Sequence, residues 1–327
     1  MEARPLARDR AFSQGSNRRG AGMLSYTLKR LALAVVVTLV VSALSFGLLY
    51  LSGDPAAAIG GEAATDADIA NIRKIYGLDR PIYIQYLTWI GKALQGDFGM
   101  SYYFRLPVSQ IMAARVPATL ILGCSAIVFA LIFSIPLGVI AAIRPNSWVD
   151  RTALFLSVMG QAMPSFWLGL MLIVVFSVWL PILPPSGTEG WEYFVMPTIV
   201  LGYFAMPAIM RLTRAGMMEV LASDYIRTAR AKGLRSGSIL FKHALRNAII
   251  PVVSVSAVQF GFMLGGSIVV ETVFAIQGMG YLAWESIKRS DFPTVQAVIL
   301  IFAVIYIVLT LLADLLNGWL DPRIRVT

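Results

Sequence analysis

The chain has 327 residues, of which 57% are hydrophobic and only 14% charged, and its mean hydropathy is +0.73. This composition is typical of a membrane protein and excludes an ordinary soluble domain. One cysteine and one histidine are too few for a disulfide framework or a zinc centre built on thiolates and imidazoles.

The first residues are polar and rich in Arg, Ser and Gly. They hold too few apolar side chains to form a core, so we predict a disordered cytoplasmic leader over 1–22. Met23 precedes a basic and then apolar pattern and is an alternative start of translation to Met1. The apolar run has no small-residue cleavage site, which favours a retained first transmembrane helix over 23–51.

Six stretches hold the roughly 20 apolar residues that a helix needs to cross a bilayer. They lie at 31–51, 118–143, 153–180, 194–210, 248–270 and 294–316. The sequence therefore predicts an all-α polytopic membrane protein with six transmembrane helices. The last five form a transmembrane core over 118–316.

Basic residues are distributed unevenly between the two sides of the predicted membrane protein. Most lie in the leader, in the segment 211–247 and in the other segments on the side of the two termini. Because basic loops stay in the cytoplasm, both termini, including the tail 317–327, are predicted to be cytoplasmic. The net charge of +9 is thus interpreted as an orientation signal and not as a nucleic-acid-binding surface.

The segment 52–117, between the first two spans, is too long for a turn and contains helix signals. Thr65 fits an N-cap with Asp68 in the first turn, and Gly77 fits the end of that helix. Pro81 fits the first turn of a second helix. We predict a small helical extracytoplasmic cap, with a mere spacer as the alternative.

The segment 211–247 has the signals of a helix, a glycine turn and a second helix. Ser223 or Asp224 fits the first N-cap, and Gly233 fits a positive φ beyond the helix end. One face of this helix repeats at i, i+4 spacing and can fill a groove on a partner protein. Its residues are Leu221, Tyr225 and Ala229.

Polar side chains inside the spans should face a neighbouring helix or a water-lined path. The candidates for lining a path are Gln161, Ser165, Ser254 and Gln259. Packing between helices explains them equally well. Asp314 and Glu271, near span ends, are predicted to lie at the membrane interface and stay hydrated, and an anchor is preferred to a proton relay for Asp314. Prolines 136, 164 and 207 either bend their helices or are tolerated by packing.

Motifs for chemistry are absent from the sequence. It contains no GxxxxGK[ST] phosphate loop and no serine-histidine arrangement of a hydrolase. We therefore predict no catalytic residue, cofactor or metal in this chain, and any energy for its function must come from elsewhere.

Several strings in order resemble the inner-membrane permeases of ABC importers, specifically the dipeptide, oligopeptide and nickel group. They are GDP at 53–55, GLDRPIYIQYLTWIGKALQGDFGMS at 77–101, RVPATL at 115–120, DYIRTARAKGL at 224–234, HALRNAIIPV at 243–252 and LDPRI at 320–324. Arg227, Thr228 and Ala229 stand where the general permease motif has Glu-Ala-Ala, and Arg246 stands where it has proline. This departure is expected of the peptide group and argues against sugar or phosphate permeases.

The resemblance implies a type I ABC importer permease fold in a bacterial cytoplasmic membrane. It implies a homologous second permease, two ATP-binding subunits, an extracytoplasmic substrate-binding protein and membrane lipid as partners, and no nucleic acid. It also implies that the helix at 224–233 docks on an ATP-binding subunit. The docking residues would be Asp224, Tyr225, Arg227, Thr228, Ala229, Arg230, Lys232 and Gly233.

The substrate implied by the resemblance is a di- or oligopeptide, with nickel chelate or glutathione as alternatives in the same family. A secondary transporter is a less favoured class, because no internal repeats with broken helices are detected in the sequence. A membrane scaffold without solute flux is a further alternative. The basic residues of the inner segment also fit a solvated surface near anionic lipid.

Overall fold

The computed structural model of the chain describes residues 27–47, 53–61 and 64–320. These residues form helices, with one isolated β-bridge between Met100 and Pro107 and no β-strand among them. The predicted all-α class is confirmed for this part of the chain. The predicted leader at 1–22 and the alternative starts at Met1 and Met23 lie outside the described residues.

The helices are α1 (Thr27–Gly47), α2 (Pro55–Gly60), α3 (Asp66–Ile75), α4 (Ile82–Ala93), α5 (Val108–Ile143), α6 (Trp148–Ala162), α7 (Ser165–Ile173), α8 (Val195–Leu221), α9 (Asp224–Ala231), α10 (Leu245–Ala248), α11 (Ile250–Val273), α12 (Met279–Lys288) and α13 (Phe292–Leu320). The helix α7 continues as a π-helix over Val174–Trp179, and a second π-helix, Ser238–Ala244, precedes α10. Within the described ranges, α1, α5, α8, α11 and α13 are long and apolar enough to cross a bilayer. The bent pair of α6 and α7 provides the sixth crossing when it is counted as one span.

The third predicted span, 153–180, is a broken helix and not a continuous one. The axes of α6 and α7 meet at 99°. Pro164 has no amide hydrogen and disfavours helical geometry in the residue before it, and Met163 is accordingly extended. The structure thus corrects the interpretation that the chain carries no broken helix. Pro136 and Pro207 lie inside α5 and α8, which continue past them.

Several helices extend past the predicted span limits. The helix α5 begins at Val108, inside the segment 52–117, and α8 reaches Leu221, inside the segment 211–247. The helix α13 reaches Leu320, inside the predicted tail 317–327. An apolar run marks only the part of a helix that lies in lipid, so it underestimates helices that project beyond the bilayer.

The core of the molecule lies between α5 and α8, with α11 packed against both. Its buried side chains include Leu122, Ala126 and Ile209. At Gly202, an added Cβ would lie only 2.6 Å from the carbonyl oxygen of Ala126. Small residues let two helix backbones approach closely, which is how membrane helices gain packing without a hydrophobic driving force.

Residues 53–107, here called the cap, include α3 and α4 at the predicted places. The Thr65 hydroxyl accepts the Asp68 amide hydrogen at 3.3 Å, and Asp68 accepts the Thr65 amide hydrogen at 3.0 Å. Gly77 has a φ of +67° just beyond α3, and α4 begins directly after Pro81. The helix signals read from Thr65, Gly77 and Pro81 are therefore confirmed.

Replacing Thr65 with alanine is expected to weaken α3 by about 1 kcal/mol, because the first turn loses its side-chain cap. Bonds from the Thr65 hydroxyl and then from its amide lower the pKa of Asp68. Because this carboxyl pKa is lowered in the folded state, its stabilising effect on the cap is complete above the ordinary aspartate pKa and is lost as the pH falls through the lowered pKa. Amide hydrogen exchange of α3 at neutral and acidic pH tests both points; faster exchange confined to other helices would contradict them.

The prediction that Glu271 is hydrated at the membrane interface is wrong, because its side chain is completely buried. It accepts hydrogen bonds from the Thr119 hydroxyl at 2.8 Å and from the Tyr281 amide at 2.8 Å. The Thr119 oxygen in turn accepts the Met279 amide hydrogen at 2.7 Å. These bonds join α5, α11 and the first turn of α12, so the carboxyl group has a structural role.

Replacing Glu271 with alanine is expected to lower the free energy of unfolding by roughly 1 to 3 kcal/mol, because buried donors of Thr119 and Tyr281 lose their acceptor. Thermal unfolding in detergent measures the change. Replacing Glu219, an exposed carboxylate near the end of α8, with alanine is the control and should change the stability by less than about 0.5 kcal/mol. Equal effects of the two substitutions would contradict the role assigned to Glu271.

Asp314 of α13 forms an ion pair with a residue of α1. Its carboxylate lies 2.8 Å from the guanidinium of Arg30, and its side chain is only 20% exposed. The pair joins the beginning of α1 to α13. Asp314 therefore holds two helices together, which its predicted hydrated position did not anticipate.

Candidate functional site

The segment after α8 forms the short helix that the sequence predicts, although without the predicted side-chain N-cap. The helix α9 spans Asp224–Ala231, Ser223 occupies the N-cap position, and Gly233 has a φ of +74°. The hydroxyl of Ser223 donates to the Val220 carbonyl at 2.6 Å and does not cap α9. The Gly233 and Leu234 amides donate to carbonyls of the last turn at 2.9 and 3.3 Å, which closes the helix end.

The buried face of α9 packs against other helices of this chain. Its buried residues are Ile226 and Ala229, which lie in one cluster with Val139 of α5 and Met217 of α8. Of the predicted face of Leu221, Tyr225 and Ala229, Ala229 is corrected to an internal packing residue, because burial centres on Ile226 and Ala229. Docking by the exposed Tyr225 stays a prediction. Sequence reasoning missed Ile226, although its i, i+3 spacing to Ala229 was a usable signal.

Tyr225 bridges α9 to the following helices. Its side chain is 45% exposed, and its hydroxyl accepts a hydrogen bond from the Asn247 amide nitrogen at 2.8 Å. Asn247 also donates to the His243 carbonyl at 3.2 Å. These contacts fix the angle of α9 relative to the second π-helix and α10.

The opposite face of α9 is polar, exposed and mainly basic. It carries Arg227, Thr228 and Arg230, and the exposed Lys232 follows directly after the helix. Asp224 lies 3.3 Å from Arg227 in an exposed i, i+3 pair, which contributes little to stability. The structure therefore separates the predicted docking residues: Ala229 is buried, Tyr225 contacts its own chain, and the basic residues and Thr228 form the free surface.

A partly buried ion pair joins α6 and α8, and sequence reasoning did not find it. The guanidinium of Arg214 in α8 donates to both carboxylate oxygens of Asp150 in α6, at 2.7 and 2.6 Å. Asp150 also accepts the Asn146 amide hydrogen at 2.8 Å, and its side chain is only 3% exposed. The two parallel hydrogen bonds hold α6 and α8 in a fixed relative orientation.

The predicted path residues lie in two places. Gln161 and Ser165 flank the bend between α6 and α7, where Gln161 is exposed and Ser165 half-buried. Ser254 and Gln259 are half-buried in α11. Over the described ranges, no group of three or more acidic, histidine or cysteine side chains is placed to hold a metal ion.

Comparison with known proteins agrees with this architecture. Residues 134–326 match the family described as binding-protein-dependent transport system inner membrane component. Residues 23–123 match the N-terminal family of the same transport systems. The chain therefore belongs to the binding-protein-dependent transport system inner membrane component family.

Two similar proteins are glutathione transport system permease proteins GsiC, one from Escherichia coli (strain K12) and one from Shigella dysenteriae serotype 1. Each is 43% identical over 304 residues, which cover 93% of this chain and 99% of the relative. An inward-facing structure of the MetNI methionine ABC transporter aligns with a TM-score of 0.54 and 19% identity, covering 65% of this chain and 97% of that one. The similarity to the MetNI structure shows that this chain shares its fold.

These matches define the class of the protein. It is an inner-membrane permease of an ABC importer and contributes to the translocation pathway. The secondary-transporter alternative is thereby removed, despite the broken helix of α6 and α7.

Proposed function

We propose that this permease imports short peptides, glutathione among them, and that ATP-binding subunits drive it through the exposed basic face of α9. The observation that carries the proposal is that α9 is rigidly held on one face and free on the other. ATP and magnesium bind to the partner subunits, and α9 faces the cytoplasm while the cap faces outward.

The packing of α9 gives a physical route for coupling. Ile226 lies against side chains of α5 and α8, and Tyr225 is hydrogen-bonded to Asn247 before α11. A displacement of α9 therefore moves helix ends that belong to three spans. A helix packed in this way transmits a rigid-body shift, whereas a loosely attached loop would absorb it.

The substrate class rests on the relatives. Proteins 43% identical over almost the whole chain are permeases of a glutathione transport system, and glutathione is a small peptide. Nickel chelate remains an alternative substrate in this family. A homologous second permease completes the pathway, and a binding protein delivers the substrate on the cap side.

Crosslinking tests the docking role of α9. In a chain whose only cysteine, Cys124, has been replaced with alanine, we expect Thr228→Cys to crosslink to the ATP-binding subunits. Thr88→Cys is a matched control, because Thr88 is also an exposed helical threonine bonded to the carbonyl four residues before it. Equal crosslinking at both positions, or none at Thr228, would contradict the docking role.

Transport by the assembled complex tests the substrate. Vesicles containing this chain, the second permease, both ATP-binding subunits and the binding protein should accumulate glutathione or dipeptide only when ATP is present. Accumulation without ATP would overturn the proposed energy source. Uptake of a nickel chelate alone would replace the proposed substrate.

A further inference from the structure

A cavity of about 540 Å³ lies between the cap and the ends of two membrane helices. It is lined by Phe46 of α1, by Trp89 and Lys92 of α4, and by Gln296 of α13. Small-molecule sites in proteins have volumes of roughly 300 to 1,000 Å³. The cavity contains none of the predicted path residues and none of the α9 surface, so neither the coupling surface nor the predicted path accounts for it.

Gln296 is the first sign that this cavity takes a ligand. Its side chain is only 6% exposed, and its amide nitrogen has no hydrogen-bond partner among the residues that the structure describes. A buried amide donor without an acceptor is unfavourable, and such groups in native proteins call for an explanation. Gln296 also lines the cavity, so turning its amide toward the cavity would let a carbonyl or carboxylate oxygen there satisfy the donor.

Charges of both signs line the same cavity. Arg80 and Lys92 contribute cationic groups, and neither forms an ion pair with a carboxylate in the described part of the chain. Asp97 contributes a carboxylate, one oxygen of which accepts the Gly99 amide hydrogen at 2.9 Å. The site therefore offers partners to a ligand that carries both a negative and a positive group.

The remaining wall is aromatic and held in place. The rings of Phe46 and Trp89 lie 5.8 Å apart, centre to centre, and present an apolar surface. The adjoining loop is fixed because Asp291, which is buried, accepts hydrogen bonds from the Ser101 hydroxyl and from the Tyr102 amide. Such a preformed site loses less entropy when a ligand binds.

We propose that this cavity binds a short zwitterionic peptide with a free carboxyl terminus and an apolar side chain. Arg80 and Lys92 attract the carboxylate, and Gln296 donates to a peptide oxygen. Asp97 pairs with the ammonium group, and the apolar side chain packs on Phe46 and Trp89. The inference deepens the proposed function and rests on it for the physiological ligand: the cap holds a peptide beside the pathway before it is translocated.

Titration calorimetry tests the site with the full chain in phosphatidylcholine nanodiscs and the tripeptide Ala-Phe-Ala as probe. We expect saturable binding that weakens about tenfold when the carboxyl terminus of the probe is amidated. Lys92→Gln should weaken binding by a similar factor. Lys74→Gln is the matched control, since Lys74 is an exposed lysine of α3 that does not line the cavity.

Gln296→Leu provides a second, independent variant. It removes the unpaired donor at nearly constant volume, so the folded chain should remain at least as stable while the peptide binds about tenfold more weakly. Unchanged affinity in both Lys92→Gln and Gln296→Leu would overturn the proposal. Equal affinity for the free and the amidated peptide would also overturn the proposal. Loss of peptide binding when phosphatidylethanolamine is added to the nanodiscs would overturn it as well, because it would assign the cavity to lipid.

The outcome separates this inference from the proposed function, because the binding assay contains no ATP-binding subunit. Peptide transport by the complete assembly with no binding in the calorimeter would reject the cavity site alone. Binding in the calorimeter without ATP-dependent uptake by the assembly would reject the proposed function and leave the site.

Discussion

Replacing Asp150 with alanine is expected to lower the free energy of unfolding by about 3 kcal/mol, because it leaves the partly buried Arg214 guanidinium without its carboxylate. The Asn146 amide would lose its acceptor as well. Chemical unfolding in detergent, followed by circular dichroism, measures the loss. Arg151→Ala is a suitable control, since Arg151 is an exposed neighbour in α6.

A double-variant cycle identifies the cause of this loss. If the unpaired charge is responsible, Asp150→Ala combined with Arg214→Met should be distinctly more stable than the sum of the two single losses predicts. Strictly additive losses would mean that the ion pair contributes nothing specific and that the effect comes from packing.

Replacing Gly233 with valine is expected to reduce ATP-dependent uptake by about tenfold, because a β-branched residue at a φ of +74° is strained by roughly 1 to 2 kcal/mol. An added Cβ at Gly233 would meet no atom within 4 Å, so the strain is purely conformational. The end of α9 would shift and its basic face would no longer be held at the same angle. ATP hydrolysis that continues without uptake would show the loss of coupling.

Gly237 offers a matched control for this prediction. An added Cβ at Gly237 also meets no atom within 4 Å, but its φ of −61° suits any residue. Gly237→Val should therefore transport normally. Equal uptake by Gly233→Val and Gly237→Val in well-folded complexes would remove the coupling role from the end of α9.

The local signals were the part of the structure that the sequence predicted best. Thr65, Pro81 and Gly233 act on their own neighbours in the chain, so caps and turns can be read from residue type and spacing. The apolar runs located the spans for a similar reason. The bend at Pro164 was only half predicted, because proline marks a break but tertiary packing sets its angle.

Long-range pairing was the part that the sequence did not predict. Asp150 and Arg214 are 64 positions apart, and Glu271 meets Thr119 across 152 positions. A position near the end of an apolar run suggested hydration for Glu271, yet the neighbouring α5 and α12 bury it. The unpaired amide of Gln296 was equally unpredictable, because its burial depends on the fold.

The way in which α1 is attached to the other helices links its tilt in the bilayer to the cap and to α13. The helix is joined to the rest through Arg30 and Asp314 at one end and through Phe46 and Tyr86 at the other. Between these ends it exposes most of its apolar side chains, and a gap of about 180 Å³ separates it from α13. A change in the tilt of α1 in thicker or thinner lipid would therefore act on both the cap and the Arg30 pair.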